Sequence, residues 1–532
     1  MTSNKDAPRL TRREDLLAAL REERVWDLAI IGGGATGLGV ALDAAMRGFS
    51  VVLVESRDFA AGTSSRATKL VHGGVRYLAQ GNVPLVTEAL HERTRLLHNA
   101  PHLAQPLAFV MPSYQWWEVP FYGIGLKMYD LLAGSHGLGR TEFLSRHQTL
   151  QSLPGVQPAG LVGGVKYWDG QFDDARVALA LARTAAAQGA LVINHCEVKG
   201  LIHNAGKVVG LTCEDTETRE ALNLRARCVI NATGVWVDGL RQMDGDALGR
   251  PSRPMVAPSQ GVHLVVDREF LPGDHALLVP KTRDGRVLFA VPWLGKLILG
   301  TTDTPRHDLA LEPEPFGHEV AFILNESARY LRRAPQRADV RSCWVGLRPL
   351  VKPAEASDDG TKALSREHTV LVSRSGLVTV TGGKWTTYRA MAEDVLGKCM
   401  ADALLPHRPG GATLKQLLVG ANAGASNPHP LSQASDLSAY GSEAAAVEAL
   451  PGAGRQLAGG LTEAMVRFAV RHEYARTVED VLARRVRLLF LDARLAGSLA
   501  AAVGAIVAEE TGCDPEIAAF EALAAKYLHL PA

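Results

Sequence analysis

Apolar and polar positions near the start of the chain follow a strand–helix–strand pattern. Residues 28–31 form an apolar run of strand length, residues 35–47 favour a helix, and Gly48 follows where that helix would end. A second apolar run, residues 51–54, leads into Glu55. The pattern predicts a β-α-β unit, the building block of doubly wound α/β sheets.

Two later strands end in small-residue turns of the same kind. An apolar strand precedes Thr233 and Gly234 in ARCVINATGVWVDGL (226–240), and residues 377–380 lead to Gly382 and Gly383 in TGGKWTTYR (381–389). Ligands of doubly wound sheets gather beyond the carboxyl ends of the strands. These edges therefore predict one sheet assembled from segments far apart in the chain.

The later part of the chain is predicted to be helical. From about residue 446, apolar residues recur at helical spacing, and Thr477-x-x-Asp480 and Gly512 predict a helix start and a helix end. An earlier segment, YQWWEVPFYGIGLKMYDLL (114–132), combines aromatic residues with Lys127. It suits a helix in the core or one at a membrane interface, and we favour the core.

Composition narrows the class of protein. A chain of 532 residues exceeds one compact core, so two or three domains are expected, and a net charge of +1 gives no reason to expect a nucleic-acid partner. The six cysteines form no C-x-x-C pair, so neither a disulfide framework nor a metal site is predicted. The first 24 residues lack the apolar stretch of a secretory signal, and Thr11-x-x-Glu14 predicts a capping box.

The first β-α-β unit carries the spacing Gly32-x-Gly34-x-x-Gly37. Gly32 permits a tight turn, Gly34 lets a pyrophosphate approach the backbone, and Gly37 lets helix and strand pack closely. Glu55 stands where a carboxylate would bind a ribose hydroxyl and repel the 2′-phosphate of NADP. The motif alone predicts FAD or NAD, and the series of strand-end glycines favours FAD.

Segment 62–78, GTSSRATKLVHGGVRYL, suits close contact with such a cofactor. Its predicted cofactor-binding residues are Thr63, Ser64, Ser65, Lys69, His72, Gly73 and Gly74. Because the cations of this segment have few acidic neighbours in the sequence, a solvated basic loop is the alternative.

Four more cations stand in glycine-rich or turn-rich settings: His263, Arg348, Arg366 and Lys384. Arginine offers a planar fork to phosphate oxygens, and lysine offers a point charge. Together they would suit a phosphate-bearing substrate, whereas each alone is an ordinary surface charge or a hydrogen-bonded histidine.

Six motifs resemble, in this order, those of FAD-dependent glycerol-3-phosphate dehydrogenases: IIGGGATGLG, GTSSRATKLVHGGVRYL, VINATGVW, LGTTD, GLRPL and TGGKWTTYR. AVRHEYARTVEDVLARRVRL (469–488) is similar to their helical C-terminal domain. The resemblance implies an α/β fold of the glycine/D-amino-acid oxidase type. A Rossmann-like FAD-binding domain is interleaved with an antiparallel-sheet substrate domain and followed by an all-α domain.

The resemblance also implies a reaction. The substrate would be sn-glycerol 3-phosphate, oxidised to dihydroxyacetone phosphate, and the electrons would pass to membrane quinone. The protein would be cytoplasmic and would sit peripherally on the inner face of the cytoplasmic membrane. A glycerol-3-phosphate oxidase that uses oxygen and a non-catalytic flavin redox sensor stay open as alternatives, and so does a homodimeric assembly.

Individual roles follow from the same resemblance. Four residues would bind the substrate phosphate: Arg76, Tyr77, Arg366 and Lys384. Four would contact the flavin or hydrogen-bond near it: Gly382, Gly383, Thr386 and Thr387. His263 would be the base that takes the hydroxyl proton, or would merely bond the cofactor or a neighbouring strand, and Arg348 would stabilise the alkoxide.

The sequence departs from the family pattern at two points, and it also predicts the domain boundaries. Trp385 stands where a smaller aliphatic residue is usual, and the C-terminal part has no D-x-[DN]-x-[DN]-G loop, so calcium control is not expected. The expected plan is a polar lead-in (1–24), the interleaved catalytic unit (25–400), a linker region (401–445) and a helical domain (446–532). Six basic residues of that domain suit a solvated face, or contact with the FAD domain or anionic lipid: Arg471, His472, Arg476, Arg484, Arg485 and Arg487.

Overall fold

The computed structural model describes residues 11–74, 82–352, 368–422 and 429–532. Its strands are β1 Val25–Ile31, β2 Val51–Val54, β3 Leu70–Val71, β4 Ala104–Ser113, β5 Glu142–Ser145, β6 Gly163–Phe172, β7 Leu191–Ile193, β8 Cys196–Asn204, β9 Lys207–Asp215, β10 Ala221–Asn231, β11 Val256–Asp267, β12 Ala276–Val279, β13 Leu288–Trp293, β14 Lys296–Gly300, β15 Thr304–Pro305, β16 Ser342–Val351, β17 Thr369–Val372, β18 Val378–Thr381, β19 Gln456–Ala458 and β20 Leu461–Thr462. Its α-helices are α1 Arg13–Arg21, α2 Ala35–Met46, α3 Val83–Asn99, α4 Glu118–Ala133, α5 Arg146–Ser152, α6 Asp174–Ala187, α7 Val237–Ala247, α8 Gly317–Tyr330, α9 Tyr388–Ala401, α10 Ala444–Glu448, α11 Glu463–His472, α12 Leu488–Leu491, α13 Ala493–Thr511 and α14 Ile517–Leu528.

One sheet is the predicted doubly wound sheet. Its strands follow the order β17-β18-β10-β1-β2-β7, and β9 extends it antiparallel to β10. The pairs β18/β10, β10/β1, β1/β2 and β2/β7 are parallel, so their carboxyl ends meet at one edge. The strands expected at residues 51–54 and 377–380 are confirmed to within one residue, and the strand expected at residues 28–31 is confirmed but begins three residues earlier, at Val25. Helix α2 packs closely on this sheet, and ten of its twelve residues are buried.

The second sheet is mostly antiparallel, as the family resemblance implies. Its main path is β15-β11-β14-β13-β12-β4-β6-β3, and β16 pairs with β11 along ten residues of each strand. The pair β12/β4 is parallel. The chain enters this sheet and returns to the first one several times, so the two domains are interleaved and the fold expectation is confirmed.

The C-terminal part is helical and begins one of its helices as predicted. The Thr477 amide donates to Asp480 Oδ2 (3.1 Å), and the Asp480 amide donates to Thr477 Oγ1 (3.2 Å), which is a capping box. A π-helical turn, Asp480–Arg485, follows it. Gly512 ends α13 with a φ of 69°.

Two interpretations of surface and helix ends are wrong. The solvated basic face does not exist at Arg484, Arg485 and Arg487, which are nearly fully buried in ion pairs with the rest of the molecule. The capping box at Thr11 is also absent. The hydroxyl of Thr11 donates to the Arg471 carbonyl (2.6 Å), and α1 begins after Arg12 without a side-chain cap.

The core interpretation of segment 114–132 holds for one side of the helix only. Helix α4 buries Leu126 and Tyr129, but its other side carries large apolar side chains in the open, with Phe121 65% and Leu131 79% exposed. Trp116, just before the helix, is 76% exposed. Among the described residues, none of the helices has both the length and the apolar character needed to cross a bilayer.

Candidate active site

A cavity of about 540 Å³ opens where the parallel strands of the first sheet end. Ile31, Val54, Ala232 and Thr381 come from or directly follow four neighbouring strands, β1, β2, β10 and β18, and all line this cavity. Its wall also contains the three glycine-rich turns that the sequence singled out: Gly32 and Gly34, Thr233 and Gly234, and Gly382 and Gly383. We call this space the cofactor cavity.

The turn between β1 and α2 has the geometry of a phosphate-binding turn. Gly32 has a φ of 112°, and a Cβ there would lie 2.6 Å from the Ala232 carbonyl oxygen, so a side chain has no room. Gly34 precedes α2 without a side-chain cap, which leaves the positive end of the helix dipole at the cavity. Gly37 lies against the Gly32 carbonyl and allows the close contact of helix and strand that its spacing predicts.

Glu55 is held at the edge of this turn. Its Oε2 accepts a hydrogen bond from the Gly33 amide (2.6 Å), and its Oε1 accepts one from the Arg57 amide (2.9 Å). Two fixed oxygens at the cavity suit hydroxyl donors of a ribose.

The cavity fits an extended dinucleotide such as FAD. At Gly234 and Gly239 a Cβ would meet nothing within 4 Å, and both residues line the cavity, so side chains there would fill it. The wall runs from Glu55 to Lys384 and Trp385, which places a ribose-binding carboxylate and the strand-end glycines of β18 around one continuous space.

The second sheet presents His263 and Arg348 on one face. In the β11/β16 ladder, His263 is opposite Trp344, Gly261 opposite Gly346, and Ser259 opposite Arg348. Alternate residues of a strand share a face, so the histidine and the arginine point the same way. The Arg348 guanidinium extends over Gly261, where a Cβ would collide with it.

His263 is a buried neutral histidine. Its ring is stacked on Trp344, with 4.1 Å between ring centroids, and its Nε2 shares a hydrogen bond with Thr68 Oγ1 (2.9 Å). Burial, together with the positive charges of Arg348 and Lys69, lowers the pKa of His263 well below its ordinary value. The ring is therefore unprotonated at neutral pH and able to accept a proton.

Arg348 is fixed by acceptors on the loop after β14. Its Nη1 donates to Asp303 Oδ1 (3.1 Å), and its Nη2 donates to the Thr302 carbonyl (3.0 Å) and Thr301 Oγ1 (3.2 Å). Asp303 also accepts the hydroxyl of Ser259. A guanidinium held from several sides keeps its position and its charge.

Comparison with known proteins identifies the family to which this chain belongs. Residues 27–389 match the family of FAD-dependent oxidoreductases, and residues 410–517 match the C-terminal domain of alpha-glycerophosphate oxidase. Mitochondrial glycerol-3-phosphate dehydrogenase of Rattus norvegicus is 41% identical over 526 residues, covering 91% of this chain and 70% of the relative. The probable mitochondrial enzyme of Caenorhabditis elegans is 42% identical over 540 residues, covering 96% and 74%.

A solved structure agrees over the whole chain. The glycerol-3-phosphate dehydrogenase from Bacillus halodurans, complexed with FAD, is 30% identical with a TM-score of 0.76 and 98% of both chains covered. This chain belongs to the FAD-dependent glycerol-3-phosphate dehydrogenase family. The predictions of the family, of an enzyme and of FAD as cofactor are confirmed.

Segment 62–78 was expected to contact the cofactor. In the structure only some of its predicted residues line the cofactor cavity. Thr63 and Ser64 line the cofactor cavity, and Ser64 Oγ accepts the Ala35 amide (2.9 Å). Ser65 and Lys69 do not line it. Lys69 Nζ lies fully buried, 2.7 Å from Asp174 Oδ2 and 2.7 Å from the Ser65 carbonyl. The alternative of a solvated basic loop is therefore wrong at Lys69.

The other predicted residues have varied positions. His72, Gly73, Gly74, Thr386 and Thr387 were predicted to bind the cofactor but are not among the residues that line the cavity. Thr386 Oγ1 donates to the His72 carbonyl (3.4 Å), the Gly73 amide donates to Tyr129 Oη (2.9 Å), and Thr387 Oγ1 donates to the Lys384 carbonyl (3.3 Å). Lys384 lines the cavity itself. Three predicted phosphate-binding residues, Arg76, Tyr77 and Arg366, lie outside the described residues.

Thr68 was not predicted to contribute to the dehydrogenase site, and Trp385 was noted from the sequence only as a departure from the family pattern. Thr68 Oγ1 lies 2.9 Å from Nε2 of His263, and its sequence signal, one hydroxyl residue among several, was too weak to single it out. Trp385 lines the cavity and donates its Nε1–H to the Ser64 carbonyl (2.8 Å), thereby joining the TGGKWTTYR motif to segment 62–78.

Proposed function

We propose that this enzyme oxidises sn-glycerol 3-phosphate to dihydroxyacetone phosphate. The observation that carries the proposal is a fixed arginine and a neutral, buried histidine on one face of the second sheet, where the neighbouring Pro349 of β16 lines the cavity that fits FAD and that Lys384 also lines. An alcohol oxidation needs a proton acceptor and a cation near the developing alkoxide, and these residues supply both.

Bound flavin supplies the acceptor for the hydride that leaves C2 of the substrate. The chain supplies the path for the hydroxyl proton. Because the His263 ring is 2% exposed and Thr68 covers its Nε2, the proton passes first to Thr68 Oγ1 while the Thr68 proton moves to His263 Nε2. His263 is thus the base, and Thr68 is the relay through which it acts.

Arg348 stabilises the negative charge that develops on the substrate oxygen. Its acceptors on residues 301–303 hold the guanidinium before the substrate arrives, so little reorganisation is needed when the alkoxide forms. After burial, its charge is the next contribution to the lowered pKa of His263, so the ring is unprotonated at neutral pH.

Lys384 binds the substrate phosphate together with Arg76, Tyr77 and Arg366. Lys384 stands at the end of the Gly382–Gly383 turn, where both glycines have positive φ values (82° and 74°) that bring the backbone close to the cavity. A lysine at this position distinguishes a phosphate ester from an uncharged polyol.

The experiment for this assignment compares Lys384→Met with Lys398→Met. Lys398 is a half-exposed lysine on α9 that pairs with Asp402 at the surface, so it is a matched control. We expect Lys384→Met to raise KM for sn-glycerol 3-phosphate about 10- to 100-fold, the size of a lost charge-assisted hydrogen bond, with kcat much less affected. Glycerol, which has no phosphate, should be turned over equally by both variants. A normal KM in Lys384→Met would remove it from the phosphate site.

Electrons leave the enzyme to a membrane quinone, and α4 provides the contact with the bilayer. A stripe of exposed apolar residues, here the membrane face, consists of Trp116, Trp117, Phe121, Ile124, Met128, Leu131 and Phe143. The spacing from Trp117 to Leu131 along the helix alternates between four and three residues, so these side chains share one side. Lys127 lies over the Phe143 ring at 4.8 Å, a cation beside aromatics as at a lipid headgroup.

Because the proposed electron acceptor is a membrane quinone, a lipid bilayer is the partner that the membrane face would contact. Quinones with long tails dissolve in the bilayer, so an enzyme that reduces them must reach its surface. The enzyme would then sit peripherally on the inner face of the cytoplasmic membrane and feed electrons from glycerol catabolism into respiration.

A further inference from the structure

The C-terminal helical part holds one wall of the cofactor cavity. Residues 55–62, here the cofactor loop, follow β2, and six of them line the cavity: Glu55, Ser56, Arg57, Ala60, Ala61 and Gly62. The two residues between them, Asp58 and Phe59, point away from the cavity wall and are buried.

Asp58 is bound by two arginines that lie more than 400 positions later in the chain. Its Oδ2 accepts Arg484 Nε and Arg485 Nη1, and its Oδ1 accepts Arg485 Nη2 (2.9 Å) and Asn194 Nδ2 (3.0 Å). Asp58 and Arg485 are both completely buried. A buried carboxylate with this many donors is fixed in place, and it fixes the loop that carries it.

The neighbours of Asp58 are held by the same C-terminal segment. Arg57 Nη2 pairs with Glu479 Oε1 (3.3 Å). Phe59 lies edge-to-face on Tyr474, with 5.2 Å between ring centroids. Phe59 also contacts the phosphate-binding turn, because a Cβ on Gly33 would lie 2.6 Å from Phe59 Cδ1. The Ala60 amide completes this contact by donating to the Gly33 carbonyl (3.0 Å).

We propose that the C-terminal segment 474–485 is a positioning element for FAD. It binds three consecutive residues, Arg57 to Phe59, and so sets the distance between the cofactor loop and the glycine turn of α2. Release of these residues lets the loop move away from the cavity and weakens FAD binding. The buried arginines of the motif AVRHEYARTVEDVLARRVRL therefore serve the cofactor site.

Two matched substitutions test this assignment, and both replace a glutamate of the C-terminal part with glutamine. Glu479→Gln weakens the pairs with Arg57 of the cofactor loop (3.3 Å) and with Arg484 (2.7 Å), which in turn binds Asp58 of the loop. Glu443→Gln breaks a pair with Arg183 of α6, which does not belong to the loop, and Glu443 and Glu479 are similarly exposed (24% and 21%). Each variant is stripped of FAD and titrated with FAD by flavin fluorescence, and the melting temperature of each apoprotein is recorded.

We expect Glu479→Gln to raise the Kd for FAD about tenfold, because it weakens the charge-assisted bonds to Arg57 and Arg484, while Glu443→Gln stays within about twofold of wild type. Tyr474→Leu should also raise the Kd, because Phe59 loses its ring contact. Asp58→Asn should give the largest increase. If Asp58→Asn does not fold, the Glu479 and Tyr474 variants still test whether segment 474–485 affects FAD binding.

Equal FAD affinities in the Glu479 and Glu443 variants would overturn the proposal. So would losses of affinity that follow the apoprotein melting temperature alone, since general destabilisation would then explain them. Failure of the wild-type protein to bind FAD would instead contradict the cofactor assignment, so the two failures are distinguishable.

Discussion

The pair formed by Thr68 and His263 is the proposed route for the hydroxyl proton. His263→Gln keeps a hydrogen-bonding group of similar reach but cannot act as a base at neutral pH. We expect the rate of anaerobic flavin reduction to fall about 10²- to 10⁴-fold, with a change of less than about threefold in substrate Kd. Stopped-flow absorbance of the flavin gives both quantities from one concentration series.

Variants of Thr68 separate the relay from a merely structural contact. Thr68→Ser retains the hydroxyl and should keep most of the wild-type rate, whereas Thr68→Val should lose rate as His263→Gln does. If Val and Ser at position 68 behave alike, the proton does not pass through this hydroxyl.

Several site residues that were predicted correctly from the sequence lie close together along the chain. Gly32, Gly34 and Glu55 lie in one β-α-β unit, where spacing along the chain fixes spacing in the fold. Lys69 has no such constraint. Its partner Asp174 lies 105 residues away, and no pattern in the sequence indicates that the two meet. The convergence of His263, Arg348 and Thr68 depends on strand register in the same way.

At the level of elements, α4 presents two different sides. Tyr129 on its inner side accepts the Gly73 amide (2.9 Å) and donates to Asp169 Oδ2 (2.9 Å), while the membrane face lies opposite. The sequence could not separate core from interface here, because aromatic residues occur on both sides of the helix.

Substitution on the membrane face should weaken vesicle binding strongly. The triple variant Phe121→Ser, Ile124→Ser and Leu131→Ser removes three side chains that are each more than 60% exposed, so folding should be little affected. We expect flotation with phospholipid vesicles to fall at least tenfold, because each buried apolar side chain contributes about 1.5–3 kcal/mol. The rate of flavin reduction by substrate should stay unchanged in solution.

A control elsewhere on the surface makes that result specific. Val25, Leu309 and Leu371 are exposed apolar residues outside α4, and their replacement by serine should leave flotation unchanged. Equal binding of vesicles by the α4 variant and the wild type would show that the bilayer contacts another surface.

At the level of the whole molecule, the first sheet, the second sheet and the C-terminal helices meet around buried charged and polar groups. His102 is one of them. It is 6% exposed, and Gly420 and Gly441 pack against its ring. Burial and the nearby positive charges of Arg176 and Arg183 lower the pKa of His102 to about 4.

This histidine makes stability depend on pH. Its folded-state pKa lies below the ordinary value of about 6.5, so between those values the unfolded chain binds a proton that the folded protein does not. The free energy of unfolding should therefore fall as pH drops from about 6.5 to about 4, by up to about 3 kcal/mol from this residue. His102→Gln should flatten the dependence in urea unfolding, whereas His147→Gln, at an exposed position, should not. An unchanged slope in His102→Gln would contradict a buried neutral histidine.

The overall architecture could be predicted because family motifs and local patterns agreed on it. Contact of the C-terminal arginines with the FAD domain was only one alternative, and its partners in the cofactor loop could not be predicted, since the contact joins residues more than 400 positions apart. Runs of basic residues most often face solvent, and their burial here depends on acidic partners that folding brings from elsewhere.

Anaerobic mixing of the FAD-loaded protein with sn-glycerol 3-phosphate tests the central claim most directly. We expect the flavin absorbance near 450 nm to bleach rapidly, and a soluble quinone to restore it faster than air does. Restoration by air with formation of hydrogen peroxide would identify an oxidase and contradict the quinone assignment. Absence of bleaching would contradict the proposed substrate itself.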